Sequence, residues 1–168
     1  AGVRVLEAGG TAVDAAIAVH SVLGLVEPQS SGLGGGAFMM VYEHEVDTIT
    51  MLDGRERAPS GITEDWFKDE EGNVRDFFTS WQSGLSIGVP GQVALYEEAH
   101  ERFGQAEWSS LFEDAITLAE DGFEVSPRLN GSLSSERFRS FSLLDDNPDT
   151  AAYFYPEGEP LAAGELRL

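Results

Sequence analysis

The 168-residue sequence contains no cysteine. That excludes a disulfide framework and a thiolate metal site, and it leaves the redox compartment unread. Basic residues are scarce: 10 Lys and Arg stand against 30 Asp and Glu, for a formal net charge of −20, and Lys68 is the lone lysine. A chain of this sign repels polyanions and gains nothing from counterion release, so nucleic acid is excluded as a partner. The same field keeps it off an anionic membrane surface. No apolar run approaches the roughly 18 residues of a membrane-spanning helix. No segment joins a basic start, an apolar middle and a small-residue cleavage site, so no signal peptide is visible and the localisation stays unassigned. The chain opens Ala1-Gly2-Val3 without a Met, which reads as a fragment or a processed chain.

Familiar catalytic patterns are missing as well. The three histidines, His20, His44 and His100, lie outside ligand spacing of one another, and there is no His-Glu-x-x-His arrangement. No metal site is therefore expected. His20 lies in an apolar helix and reads as a core histidine, whereas solvent contact is the default for His44 and His100. No Gly-x-Ser-x-Gly elbow occurs. The acids have no fixed spacing that singles out a general acid and base.

What is present suits one ordinary domain. The sequence is 42% hydrophobic and 10% aromatic, enough apolar material to bury a core. Acidic clusters such as Asp69-Glu70-Glu71 and Asp145-Asp146 are spread along the chain. With almost no Lys, this reads as a surface kept soluble at high salt, where screening shortens self-repulsion. An ordinary acidic protein is the competing reading.

Periodicity predicts a helix capped by Thr11 and Asp14, buried on most faces and ended by Glu27-Pro28. After the small-residue loop Gln29 to Gly36, residues 37–42 and 47–53 read as a β-hairpin. The first strand is apolar throughout, as in a sheet covered on both faces. The second alternates Ile49 and Met51 against Thr48, Thr50 and Leu52. Residues 54–83 read as connection, with turns at 64–68 and 71–73, and 86–89 as a short strand. Helices follow from Gly91 to Phe103 and over 108–121, the latter burying Leu111, Phe112, Ala115, Ile116 and Ala119. Ser126-Pro127 opens a third helix, the pattern fades past Phe141, and the tail from Tyr153 reads as irregular. The fold class is α+β, in one unit without repeats or a linker.

Two stretches stand out chemically. Gly32-Leu33-Gly34-Gly35-Gly36 has no following Lys-Ser/Thr and leads into a strand, so it is not a phosphate loop. Its glycines supply positive φ angles or let another segment pass close by. At the exit of the second strand stands Asp53-Gly54-Arg55-Glu56-Arg57-Ala58-Pro59. A guanidinium there can take a carboxylate through two charge-assisted hydrogen bonds of roughly 1.5–3 kcal/mol each. Local sequence alone favours the blander role, in which Arg55 and Arg57 pair with Asp53, Glu56 and other acids.

Five segments in order resemble the gamma-glutamyltranspeptidase family. Residues 8–18 are similar to its "GGNAVDAA" helix, with Thr11 in place of Asn. Residues 27–39 are similar to "P-x-x-SGIGGGGF", 53–59 to "D-x-RExAP", 88–93 to "VPGxVAG" and 118–126 to "LAxxGFxVS". The resemblance covers residues 1 to about 130. It implies part of a four-layer αββα N-terminal nucleophile hydrolase sandwich, cut from one precursor into a large and a small subunit. The Thr exposed by that cut attacks the γ-amide of glutathione or a related γ-glutamyl compound. Its own α-amine serves as base, and water or an acceptor amine resolves the acyl-enzyme.

Carried over residue by residue, the resemblance makes Arg55 the arginine that binds the substrate's α-carboxylate, in a buried fork. Glu56 supports it, Arg57 falls at a variable position, and Gly34 to Gly36 shape the loop. No cofactor is implied. The expected partners are a small γ-glutamyl substrate and the small subunit of the same precursor. Thr11, Thr48, Thr50, Thr63, Thr79, Thr117 and Thr150 are all interior, so no catalytic residue lies in this chain. Residues 1–168 are expected to be the N-terminal portion of the large subunit, inactive alone. A non-catalytic binding module of the same fold, a cephalosporin-acylase-like relative and a poly-γ-glutamate-processing relative remain as alternatives.

Overall fold

The computed structural model describes residues 1–167. In chain order the elements are α1 (Gly2–Glu7), α2 (Ala12–Val26), β1 (Ala37–Glu43), β2 (Thr48–Gly54), α3 (Phe77–Trp81), α4 (Gln92–Phe103), α5 (Glu113–Asp121), β3 (Phe123–Glu124), α6 (Pro127–Leu133), α7 (Glu136–Ser142), α8 (Pro148–Phe154) and β4 (Leu166–Arg167). The mixture is α+β. Contacts gather into two compact units rather than the single one expected. One is built from Ala1–Glu56, Pro90–Gly131 and the segment from Ala162; the other from Arg57–Val89 and Ser132–Leu161. Each unit is assembled from separate stretches of chain, so its boundaries fall in short junctions and no long linker marks them.

The first unit is organised by α2 and the hairpin. Thr11 accepts the Asp14 N–H at 3.2 Å and Asp14 accepts the Thr11 N–H at 2.8 Å, the reciprocal cap that starts α2. Val13, Ala15, Ile17, Ala18 and Ser21 are buried, while Ala12, Ala16 and Val19 leave one stripe open. β1 and β2 pair antiparallel, with Met39 opposite Leu52 and Val41 opposite Thr50. That face meets Val13, Ile17, Leu95, Tyr96, Ala99 and Leu111 in the core. The opposite face carries Phe38, Met40, Tyr42, Ile49 and Met51, all exposed. The alternation expected for β2 is present, but the described residues cover β1 on one face only.

Three further expectations are corrected. The predicted helix over 108–121 begins as a tight 3₁₀ turn, Trp108–Phe112, and only then becomes α5. The change from three to 3.6 residues per turn rotates later side chains off the buried line. Leu111 is buried, whereas Ile116 and Ala119 are exposed. Residues 86–89 form no strand: a 3₁₀ turn spans Gly84–Ser86, and Val89 makes an isolated bridge to Arg57.

The tail from Tyr153 is irregular over residues 159–165 and ordered on either side of them. Asn147 caps α8 by accepting from Asp149 and Thr150, and β4 pairs with β3. In the second unit Asp76 caps the short α3 inside what reads as connection. Its buried residues include Leu133, Tyr155 and Leu161, with the Tyr155 hydroxyl donating to the Leu133 carbonyl at 3.2 Å.

Candidate functional site

Three glycines meet where β1 begins, β2 ends and α4 begins. A Cβ on Gly36 would stand 2.5 Å from the Gly54 carbonyl oxygen and 2.9 Å from the Glu56 nitrogen. A Cβ on Gly54 would stand 2.5 Å from the Leu95 Cβ, and one on Gly91 would run into the Gly54 carbonyl. The Gly35 carbonyl accepts the N–H groups of Gly91 and Gln92 at 3.1 and 3.0 Å, which ties the start of α4 to the glycine loop. Backbones approach this closely only where side chains are absent. Of the two roles expected for Gly32 to Gly36, close approach is the one seen; none of these glycines has a positive φ.

Arg55 and Glu56 leave this junction directly. The Arg55 N–H donates to Asp53 Oδ1 at 2.9 Å. The Arg55 Nε lies 3.3 Å from Glu56 Oε2. The local pairing expected from neighbouring acids is therefore present for Arg55. It occupies one side of the guanidinium and leaves the terminal Nη groups without a partner among the described residues. The buried fork is not seen: the Arg55 side chain is 70% exposed and that of Glu56 35%. The start of α4 packs on the end of β2, and the Arg55 side chain beyond that junction stays solvent-accessible. Two terminal NH₂ groups on a planar cation suit an oxyanion of carboxylate geometry.

The histidines lie elsewhere. His20 packs edge-on against Tyr96, ring centroids 5.6 Å apart, and its Nδ1 contacts the Tyr96 hydroxyl. Burial holds His20 below its ordinary value and pushes the Tyr96 hydroxyl up to about 12, so the pair is a neutral packing contact at pH 7. His44 is exposed in the hairpin turn. His100 departs from the expected solvent contact: its side chain is 19% exposed, and its Nε2 lies 2.9 Å from the Ala106 carbonyl and 3.6 Å from Asp14.

Asp14 is the buried acid that local reasoning credits only with a cap. Wholly buried, it accepts from the N–H groups of Thr11, Gln105 and Ala106 and from the Thr11 hydroxyl. Burial alone would raise its pKa, but these donors outweigh it and hold the carboxyl below its ordinary range. Its partners stand some ninety residues downstream, where no sequence pattern reveals them.

Residues 1–167 match the family model described as gamma-glutamyltranspeptidase. The chain belongs to the gamma-glutamyltranspeptidase family. It is 39% identical over 169 residues to the glutathione hydrolase proenzyme of Bacillus subtilis, a match that covers 99% of this chain and 28% of that protein. The chain thus spans about a quarter of the length of that relative. Among solved structures, Helicobacter pylori gamma-glutamyltranspeptidase superposes with a TM-score of 0.87 at 34% identity, covering 99% of this chain and 46% of that one. A cephalosporin acylase from Bacillus halodurans superposes with a TM-score of 0.82 at 28% identity, covering 99% and 30%. The fold is that of the N-terminal nucleophile hydrolases to which these transpeptidases and acylases belong. In gamma-glutamyltranspeptidase terms, the matched region reaches well past residue 130, into the tail that carries no motif resemblance.

Proposed function

We propose that this chain is the N-terminal portion of the large subunit of a γ-glutamyl transferase or hydrolase, and that Arg55 binds the α-carboxylate of its γ-glutamyl substrate. The observation that carries the reading is a guanidinium at a strand exit whose terminal nitrogens have no partner among the described residues, in a chain matched along its described length by the transpeptidase family. The carboxylate would take the two Nη donors, while Glu56 holds Nε and keeps the fork oriented. In a chain of net charge −20, a local cation of this kind offsets the repulsion of an anionic substrate.

The nucleophile of this reading is a threonine of the small subunit, outside this chain. It attacks the γ-amide carbonyl, the amine leaves, and water or an acceptor amine releases the γ-glutamyl group. This chain alone is then inactive, and its physical partner is the small subunit of the same precursor. The likeness to a cephalosporin acylase favours a second substrate class, the acyl side chain of a cephalosporin.

The test is made on the complete protein. Arg55→Ala should raise KM for γ-glutamyl substrates at least about tenfold, the loss of roughly 1.4 kcal/mol or more of binding. An unchanged KM removes Arg55 from the site.

A further inference from the structure

The proposal that Arg55 is the substrate-carboxylate ligand leaves open what holds it in place, because most of its side chain touches nothing. Two neighbours do. Asp53 Oδ1 accepts the Arg55 backbone N–H at 2.9 Å, which fixes the peptide from which the side chain departs. Glu56 Oε2 stands 3.3 Å from Arg55 Nε, an ion pair that draws the guanidinium toward Glu56. The place taken by that Glu56 carboxylate exists because Gly36 has no side chain. A Cβ at Gly36 would stand 2.9 Å from Glu56 Oε2, 2.9 Å from the Glu56 nitrogen and 2.5 Å from the Gly54 oxygen. The Gly54 oxygen belongs to the paired strand β2 and the Glu56 nitrogen to the backbone just beyond it, and neither can swing aside as a side-chain end can.

We infer that Gly36 and Asp53 are positioning residues for Arg55: Gly36 by leaving the space from which Glu56 orients the guanidinium, Asp53 by pinning the Arg55 N–H. This rests on the reading of Arg55 as the carboxylate ligand. The glycine loop thereby gains a role in the site without touching substrate. Gly32, in the same loop, has nothing within 4 Å of an added Cβ, so the role is specific to position and not to the loop's composition. A flexible exposed arginine loses side-chain freedom when it binds, and anchoring it beforehand reduces that loss. The effect belongs in binding rather than in the chemical step.

In the complete protein, Gly36→Ala and Asp53→Ala should each raise KM for a γ-glutamyl substrate by about three- to tenfold with kcat within about twofold. Gly32→Ala, which adds a methyl group to the same loop, should change neither. Combined with Arg55→Ala, each should leave KM where Arg55→Ala alone places it, since nothing remains to be positioned. If Gly36→Ala yields no folded protein, Asp53→Ala still decides, because its exposed carboxylate can be removed without disturbing the core. Should Arg55→Ala raise KM while Asp53→Ala and any folded Gly36→Ala leave it unchanged, the inference is wrong. Effects that add to that of Arg55→Ala would overturn it too. An unchanged KM in Arg55→Ala instead overturns the reading of the site beneath it.

Discussion

Asp14 and Arg55 are two charged residues handled in opposite ways by one fold. Asp14 is wholly buried and surrounded by donors, so its charge is spent on structure. Arg55 has one side paired and the other open. Removing Asp14 leaves the N–H groups of Gln105 and Ala106 without their acceptor, and unsatisfied buried donors cost about 1–3 kcal/mol each. Asp14→Ala in the complete protein should therefore lower stability by about 3 kcal/mol, read as a shifted denaturant midpoint with unchanged slope.

The pH dependence has a definite sign. A carboxyl whose folded pKa lies below its unfolded value contributes stability that is full above the unfolded value, near 3.8, and is lost as pH falls through the folded one. The loss from Asp14 should appear only below about pH 4, and Asp14→Asn should flatten the profile there. The sequence disclosed half of this arrangement. The Thr11–Asp14 cap is a local pattern and was legible; the bonds to Gln105 and Ala106 depend on where the chain returns after α4 and were not. Arg55 was legible as a strand-exit cation, and only the transpeptidase motif turned it from a surface ion pair into a ligand candidate.

Among elements, the hairpin and α4 decide the geometry of the site. Strand alternation predicts the first and the pattern from Gly91 to Phe103 the second, because both signals are local. What no local signal carried is that the end of β2 packs against the start of α4 through bare backbone. Gly104 offers the same lesson: its φ of −82° needs no glycine, but a Cβ there would stand 2.7 Å from Asp14 Oδ1. Gly54→Ala would press a methyl to 2.5 Å from the Leu95 Cβ, and overpacking of this kind costs about 1–3 kcal/mol. Thermal unfolding should show a lowered midpoint; no shift would mean that α4 gives way freely. The tail was missed for a related reason, since β4 finds its hydrogen bonds on β3 and not in its own sequence.

At the scale of the whole chain, the excess of 30 acids over 10 basic residues is a matter for salt dependence. If the surface is salt-adapted, unfolding midpoints should rise between ~0.1 M and ~3 M NaCl, as the Debye length falls from roughly 10 Å to below 3 Å; equal midpoints would leave an ordinary acidic protein. Within that field the account depends on one cation meeting one carboxylate. The direct measurement is kcat/KM of the complete protein, and of its Arg55→Ala variant, on a γ-glutamyl substrate and on the same substrate with its α-carboxylate converted to the amide. The parent protein should prefer the free carboxylate by about tenfold or more, and Arg55→Ala should abolish the preference. A preference that survives the loss of Arg55 would contradict it.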